Sequence, residues 1–243
     1  HGDRAVVARG PSRGREIVEV TDAVERVGLL VFADDLDQPP ADLVVVREVV
    51  GEPQVEGEAP AVAGFGQVVA HEAMQLGIEK AKQHGMAAIA LRNAHHVGRI
   101  GYWAEQCAAA GLISIHFVSV IGDPMVAPFR GKDSRFGTNP LCVVFPRAGH
   151  PPLLLDYATS AIAFGKTRVA WHKGEAVAPG CLIDAEGRPT TDPAVMQTSP
   201  LGALLTFAQH KGYALATLCE VLGGALSGGQ TTHQESLQTS VDA

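Results

Sequence analysis

Four short stretches bring together the side chains with which this chain could do chemistry. The first runs Arg92, Asn93, Ala94, His95, His96, Val97, Gly98 and Arg99. A histidine in an open loop titrates near neutral pH and can exchange a proton with a substrate hydroxyl. The same pair would serve equally well to cap a helix or to bond loop carbonyls. His95, His96 and His116 could also be read as metal ligands. Adjacent histidines rarely face one ion, and no carboxylate stands at ligand spacing, so no metal is expected.

The second stretch extends from Gly122 and Asp123 through Pro128 and Gly131 to Arg135, Phe136, Gly137, Thr138, Asn139 and Pro140. Its prolines and glycines fix an unusual backbone path. Gly137 would let main chain approach a ligand, with the Thr138 hydroxyl and Asn139 amide beside it. The alternative is a rigid turn between two strands. In the third stretch, Asp156, Tyr157 and Ala158 end an apolar strand, followed by Thr159, Ser160, Gly165 and Lys166. A carboxylate at a strand end can accept ribose hydroxyls or hold an imidazolium, while Thr159 or Ser160 is a natural helix N-cap. The fourth stretch, His210, Lys211 and Gly212, opens an apolar helix, where free N–H groups, the helix dipole and an ammonium would favour a phosphate or carboxylate. A surface lysine ahead of a core helix is the plainer reading.

These residues need elements to position them, and the spacing of apolar residues suggests which. Residues 67–84 read as a helix, with Ala70, Met74, Ile78 and Ala81 on one face and Gly85 as its left-handed stop. A buried strand at 86–91, a helix at 100–110 closed by Gly111, and strands at 112–120, 141–145 and 153–155 follow. Residues 159–171 read as helix, 172–200 as mostly loop and 212–226 as a final helix. Ahead of these, residues 1–14 read as a loose tail, 16–27 as an amphipathic helix stopped by Gly28, 43–50 as a β-rich run and 51–64 as loop. The alternation of helix and strand favours an α/β architecture with helices covering a sheet. No Gly-x-Gly-x-x-Gly turn follows a strand.

Composition narrows the function classes. The 243 residues are 46% hydrophobic and 19% charged, which suits a globular chain with a sizeable core. A formal charge of -7 gives no long-range attraction for polyanions, so nucleic acid is not the expected partner. Cys107, Cys142, Cys181 and Cys219 sit in apolar surroundings without CxxC spacing, as expected of free thiols in a reducing compartment. No signal peptide is evident, and the apolar runs fall short of the ~20 residues that span a bilayer, so a cytoplasmic location without membrane partners is expected.

Taken in order, the motifs GFGQ at 64–67, NAHHVGRIGYWAEQ at 93–106, DPMVAPFRG at 123–131, FGTNP at 136–140, DYATSAIAFGKT at 156–167, GRPTTDP at 187–193 and HKGYALA at 210–216 resemble the malate/L-lactate dehydrogenase family, which also contains ureidoglycolate and sulfolactate dehydrogenases. The resemblance implies a three-layer, non-Rossmann, sulfolactate-dehydrogenase-like α/β fold with a mixed sheet, and a homodimer binding NAD or NADP. It implies an incomplete helical segment at 1–60, a cofactor-binding domain at 61–229 and a polar tail at 230–243. It places His96 and Lys166 as catalytic residues, with no definite role for the lysine. Arg99, Arg135 and Thr138 would bind a small 2-hydroxy or 2-oxo acid such as malate or lactate. Gly122, Asp156, Tyr157, Ala158, His210, Lys211 and Gly212 would bind the cofactor. One departure stands out. The family's Asp-Ser-His-Gly stretch is missing where Val27 and Gly28 run into Leu29, Leu30 and Val31, and the chain stops soon after Gly229. The rival expectation is therefore an impaired paralogue that binds dinucleotide or a partner without turnover.

Overall fold

Val69, Ala70, Ala73, Met74, Gly77 and Ala81 recur at three- and four-residue spacing and are buried along one side of helix α1, Gly66–His84. The helix stops where the spacing predicts. Gly85 takes φ +80° and its N–H donates to the Ala81 carbonyl at 2.8 Å. This computed structural model describes residues 27–33, 44–46, 66–91, 94, 96–227 and 231–232. The expected tail at 1–14, the helix over 16–26, the loop at 51–64, Arg92, Asn93, His95 and most of the polar C-terminal tail lie outside these residues.

Six strands form the main sheet in the order β2-β3-β1-β4-β5-β6. They are β1 Val27–Ala33, β2 Val44–Val46, β3 Met86–Leu91, β4 Leu112–Val118, β5 Leu141–Phe145 and β6 Leu153–Tyr157. Only β2 and β3 pair in parallel; the other four pairings are antiparallel, so the sheet is mixed. Val27 and Gly28 are corrected from a helix end to strand: they pair with Leu91 and Ala90 of β3 and with Val118 and Phe117 of β4. The positions where Asp-Ser-His-Gly was looked for are thus mid-sheet backbone. The pairings also fix directions. β3, β4 and β6 run the same way, so the segments that leave them (after Leu91, Val118 and Tyr157) emerge at one end of the sheet.

Alternation along the strands divides the core between two faces. Ala87, Ile89, Leu91, Leu112, Cys142 and Val144 pack under α1 and α2, Ile100–Ala109, whose Trp103, Ala104 and Cys107 are buried. On the other face, Phe117 and Leu141 meet Cys219 and Leu215 of α4, His210–Cys219. The burial that keeps the cysteines free raises their thiols, Cys107 to about 11 and Cys142 and Cys219 to about 12, so they persist as neutral apolar groups.

His116 lies in the α1/α2 face of β4, fully buried, with Nε2 at 2.8 Å from the Ser114 hydroxyl and Nδ1 without a partner among the described residues. Desolvation alone pushes its pKa down to about 3. The unfolded chain binds a proton here below about pH 6.5 that the folded ring refuses. Stability is therefore expected to fall as pH drops from about 6.5 toward 3, by up to about 4 kcal/mol from this group. Urea unfolding across that range checks it: His116→Met should flatten the acid limb, and an equally steep limb in that variant would refute the assignment.

A smaller unit hangs from the far end of the chain. Strands β7 Leu182–Ile183, β8 Pro189–Thr190 and β9 Ala203–Leu204 form a second sheet in the order β8-β7-β9. Val126, Leu182, Met196 and Leu204 make its core, with Phe164 and Ala170 of α3, Phe164–Lys173, against it. The helix expected over 159–171 begins five residues late. Ser160 bridges to Thr206 and Ala161 donates to the Leu205 carbonyl at 2.7 Å, which ties 159–161 to the segment before α4 instead of to a helix; neither Thr159 nor Ser160 caps α3, whose N-cap is Ala163. The final helix starts earlier than expected, at His210, and passes into a π-type turn over Glu220–Gly224.

Candidate active site

The loop between β3 and α2 turns on Gly98, which takes φ +78° and donates its N–H to His96 Nδ1 at 3.0 Å. The His96 side chain is exposed. With Nδ1 accepting, the neutral ring carries its proton on Nε2, the nitrogen left open to a ligand. Val97 closes the loop underneath by accepting the indole N–H of Trp103 at 2.9 Å.

Arg99, the next side chain, is bound at both ends of its fork. Nη2 donates to Glu105 Oε2 at 2.8 Å, and Nη1 stands 3.6 Å from Asp156 Oδ2. The hydrogen bond to Glu105 and the two carboxylate charges raise the guanidinium pKa further. Asp156 Oδ2 also accepts the Gly101 N–H at 3.1 Å, capping α2 from a strand that is far away in sequence. A Cβ at Gly101 would crowd both Arg99 Nη1 and Asp156 Oδ2, so glycine here lets that contact form as it does. Among the described residues both contacts of Asp156 fall on Oδ2 and none on Oδ1.

β6 carries the site onward. Tyr157 stacks edge-on against Phe207, with ring centres 5.5 Å apart, and burial raises its phenol. Phe207 N–H donates to the Thr159 carbonyl, while the Thr159 hydroxyl donates to the carbonyls of Thr138 and Asn139 at 3.0 and 2.9 Å. His210 meets the Phe129 ring edge-on, and the Arg130 guanidinium lies over the same ring. Gly212 is buried because a Cβ there would run into the Phe207 carbonyl. Gly122 sits at φ +142° with open space where a side chain would stand.

Of the residues singled out from sequence, Arg99 and Asp156 are thus drawn together at the start of α2, with His96 exposed in the loop just before it. Thr138, Tyr157 and Gly212 are linked through Thr159 and Phe207, with Ala158 following Tyr157 and with His210 and Lys211 preceding Gly212 in the chain. Lys166 and Arg135 are not tied into either group. Lys166 is exposed on the first turn of α3 without an ion pair among the described residues, and Arg135 pairs with Asp133 at 3.4 Å. Two expectations are corrected. Gly137 lets the chain approach Val120, not a ligand, since a Cβ there would press on the Val120 carbonyl and side chain. The Asn139 amide is not offered to a ligand: it is fully buried, accepting from Val120 N–H and donating to Glu220 and the Ala216 carbonyl. His116 is in the core, so it shares no ligand set with exposed His96, and among the described residues no cluster of three metal-binding side chains occurs.

A cleft of about 650 Å³ opens beside this loop, lined by Gln67, His71, Glu72, Arg99, Tyr102 and Trp103 with Val68, Val97 and Gly98. The α1 residues, Tyr102 and Glu105 were not anticipated. The available signal was the polar exposed side of both helix starts, which looks like ordinary solvated surface until the two helices are set side by side.

Comparison with known proteins supplies a context. A family model described as malate/L-lactate dehydrogenase matches residues 40–242. Hydroxycarboxylate dehydrogenase B of Escherichia coli K12 is 80% identical over 179 residues, 74% of this chain and 50% of that protein. L-lactate dehydrogenase of Cupriavidus necator is 49% identical over 175 residues, 71% of this chain and 50% of that protein. The solved sulfolactate dehydrogenase of Methanocaldococcus jannaschii superimposes with a TM-score of 0.64 at 35% identity, covering 83% of this chain and 52% of that one. The chain spans about half the length of the curated relatives it matches.

Proposed function

We propose, since the chain belongs to the malate/L-lactate dehydrogenase family, that it binds NAD or NADP and serves hydride transfer between nicotinamide and a small 2-hydroxy or 2-oxo acid, malate or lactate in type. The observation that carries this reading is the meeting of Arg99 and Asp156 at the start of α2, where Asp156 also accepts the Gly101 N–H from 55 residues away, with exposed His96 in the loop three residues before Arg99.

The donor set suits a dinucleotide. Asp156 Oδ1 is free to accept ribose hydroxyls. Tyr157 and Ala158, the next residues of the strand end, complete the proposed cofactor contact. Gly122 leaves room for close approach, and His210, Lys211 and Gly212 begin α4 with an exposed ammonium beside the positive end of the helix. When bound, the nicotinamide supplies or accepts the hydride. The chain's own part is to orient and to handle the proton. In the reduction direction His96, as the imidazolium, would give its Nε2 proton to the oxygen on C2 and return to the neutral ring, and Arg99 faces the substrate carboxylate. Thr138 adds a hydroxyl beside it. Arg135 and Lys166 are further cations proposed for the acid.

The wider assignment follows from the same reading: a three-layer, non-Rossmann fold with residues 61–229 as the cofactor unit, working as a cytoplasmic homodimer on a small molecule without nucleic acid or membrane. No helix among the described residues is long and apolar enough to cross a membrane. The test is to mix the chain with NADH or NADPH and oxaloacetate, pyruvate or related 2-oxo acids and to follow the nicotinamide absorbance. Oxidation that depends on the acid is expected. Tight cofactor binding without oxidation would point to the non-catalytic paralogue, and loss of activity on adding a chelator would point to a metal enzyme.

A further inference from the structure

The Arg99 guanidinium faces two carboxylates, Glu105 at 2.8 Å and Asp156 at 3.6 Å, and Glu72 lines the same cleft. In that state the region repels an incoming anion, although the reading above gives Arg99 the task of receiving one. One carboxylate must therefore yield. Asp156 is 20% exposed, grows from a paired strand and is fixed by the Gly101 N–H. Its departure would uncap α2. Glu105 is 41% exposed and has no side-chain partner besides Arg99 among the described residues, so swinging it into water forfeits one half-exposed ion pair. Such pairs contribute little, because water and salt already screen them.

We infer that Glu105 is an exchangeable counter-ion that a substrate carboxylate displaces from Arg99, and that it thereby sets the affinity of this site for 2-oxo acids. The inference rests on the function proposed above. Asp156 keeps its bond and holds the guanidinium plane in place while the Glu105 side gives way. The substrate carboxylate then takes up the N–H groups that Glu105 released. Glu105 is a positioning residue: it holds the empty Arg99 side chain extended toward the cleft at the cost of competing with the ligand.

Glu105→Gln separates this role from a structural one, because it keeps the side chain's size and removes only the charge. With saturating reduced cofactor, KM for pyruvate or oxaloacetate should fall about threefold to fivefold, the change expected when one partly exposed ion pair stops competing. The effect should fall on KM more than on kcat. Calorimetric titration with oxamate, an unreactive pyruvate isostere, should show the same gain without any turnover. The gain should vanish when Arg99→Gln is combined with Glu105→Gln, since the two charges then have nothing to exchange. Unchanged or weaker oxamate binding in Glu105→Gln would overturn the inference. Wild-type turnover with no Glu105 effect sinks the counter-ion role alone, whereas a wild-type chain that neither turns over nor binds oxamate sinks the proposed function together with it.

Discussion

His96→Ala is expected to lower kcat/KM for reduction of a 2-oxo acid by about 10²–10⁴-fold, the range for losing a positioned acid/base group. The fold should barely notice. The ring is exposed, and its one described bond is the acceptance of the Gly98 N–H. Steady-state kinetics alongside a thermal melt separate the two effects. His96→Gln, which can still accept from Gly98 but carries no titrating proton, should restore loop geometry without restoring the rate. Turnover that survives His96→Ala would place the acid/base group elsewhere, and His95→Ala is the first comparison to make.

Asn139→Ala should cost the fold about 3–5 kcal/mol, the range for breaking a buried network around a charge. Three of its bonds disappear at once: Val120 loses an acceptor, and the Ala216 carbonyl and Glu220 each lose a donor. Glu220 is buried and keeps only the Ser119 hydroxyl and the Thr232 N–H among its described side-chain contacts. The backbone adds to the cost. Asn139 lies at φ +34°, where asparagine is tolerated and alanine is strained. Asn139→Gly relieves the strain but not the lost bonds, so it should recover only a minor part. Asn139→Asp sets a second carboxylate against Glu220 and should be no better than alanine. Urea unfolding of the three variants checks the order. A loss below about 1 kcal/mol in Asn139→Ala would mean that this network contributes no more than an average hydrogen bond.

The contrast between these two residues shows what the sequence discloses. Both stand in motifs rich in polar groups, and both were read as facing a ligand. One does stand in an open loop; the other is a tie between β4, α4 and the segment joining β4 to β5. Nothing local distinguishes them, because the partner that decides the matter, Glu220, is 81 residues away. Asp156 was legible as a carboxylate ending an apolar strand, but its use as a cap for α2 was not, since Gly101 precedes it by 55 residues. Periodic amphipathic elements with glycine stops were readable: α1 ends at Gly85 and α2 before Gly111, both with φ +80°. β1 was not, because a strand paired on both sides shows a continuous apolar run with no period, and the valines before it fall at helical spacing. Residues 159–161 read as helix from local spacing but are held out of it by Thr138, Leu205 and Thr206, which no local window contains.

β6 sits at the rim of the main sheet, paired only with β5, and its side chains alternate between Asp156 under α2 and Leu155 and Tyr157 on the opposite side. Sliding this ribbon by a single residue would swap those sides, putting a leucine or tyrosine where the carboxylate belongs. A rim strand has few neighbours to forbid such a slide. The grip of Arg99 and Gly101 on Asp156, and of Thr159 on the carbonyls beyond it, works like a pair of locating pins: the strand can be seated only in the alignment that also completes the pocket. Assembly errors and loss of ligand binding should then arise together, and a bound ligand that tightens the pins should act as a proofreader of the sheet's outermost row.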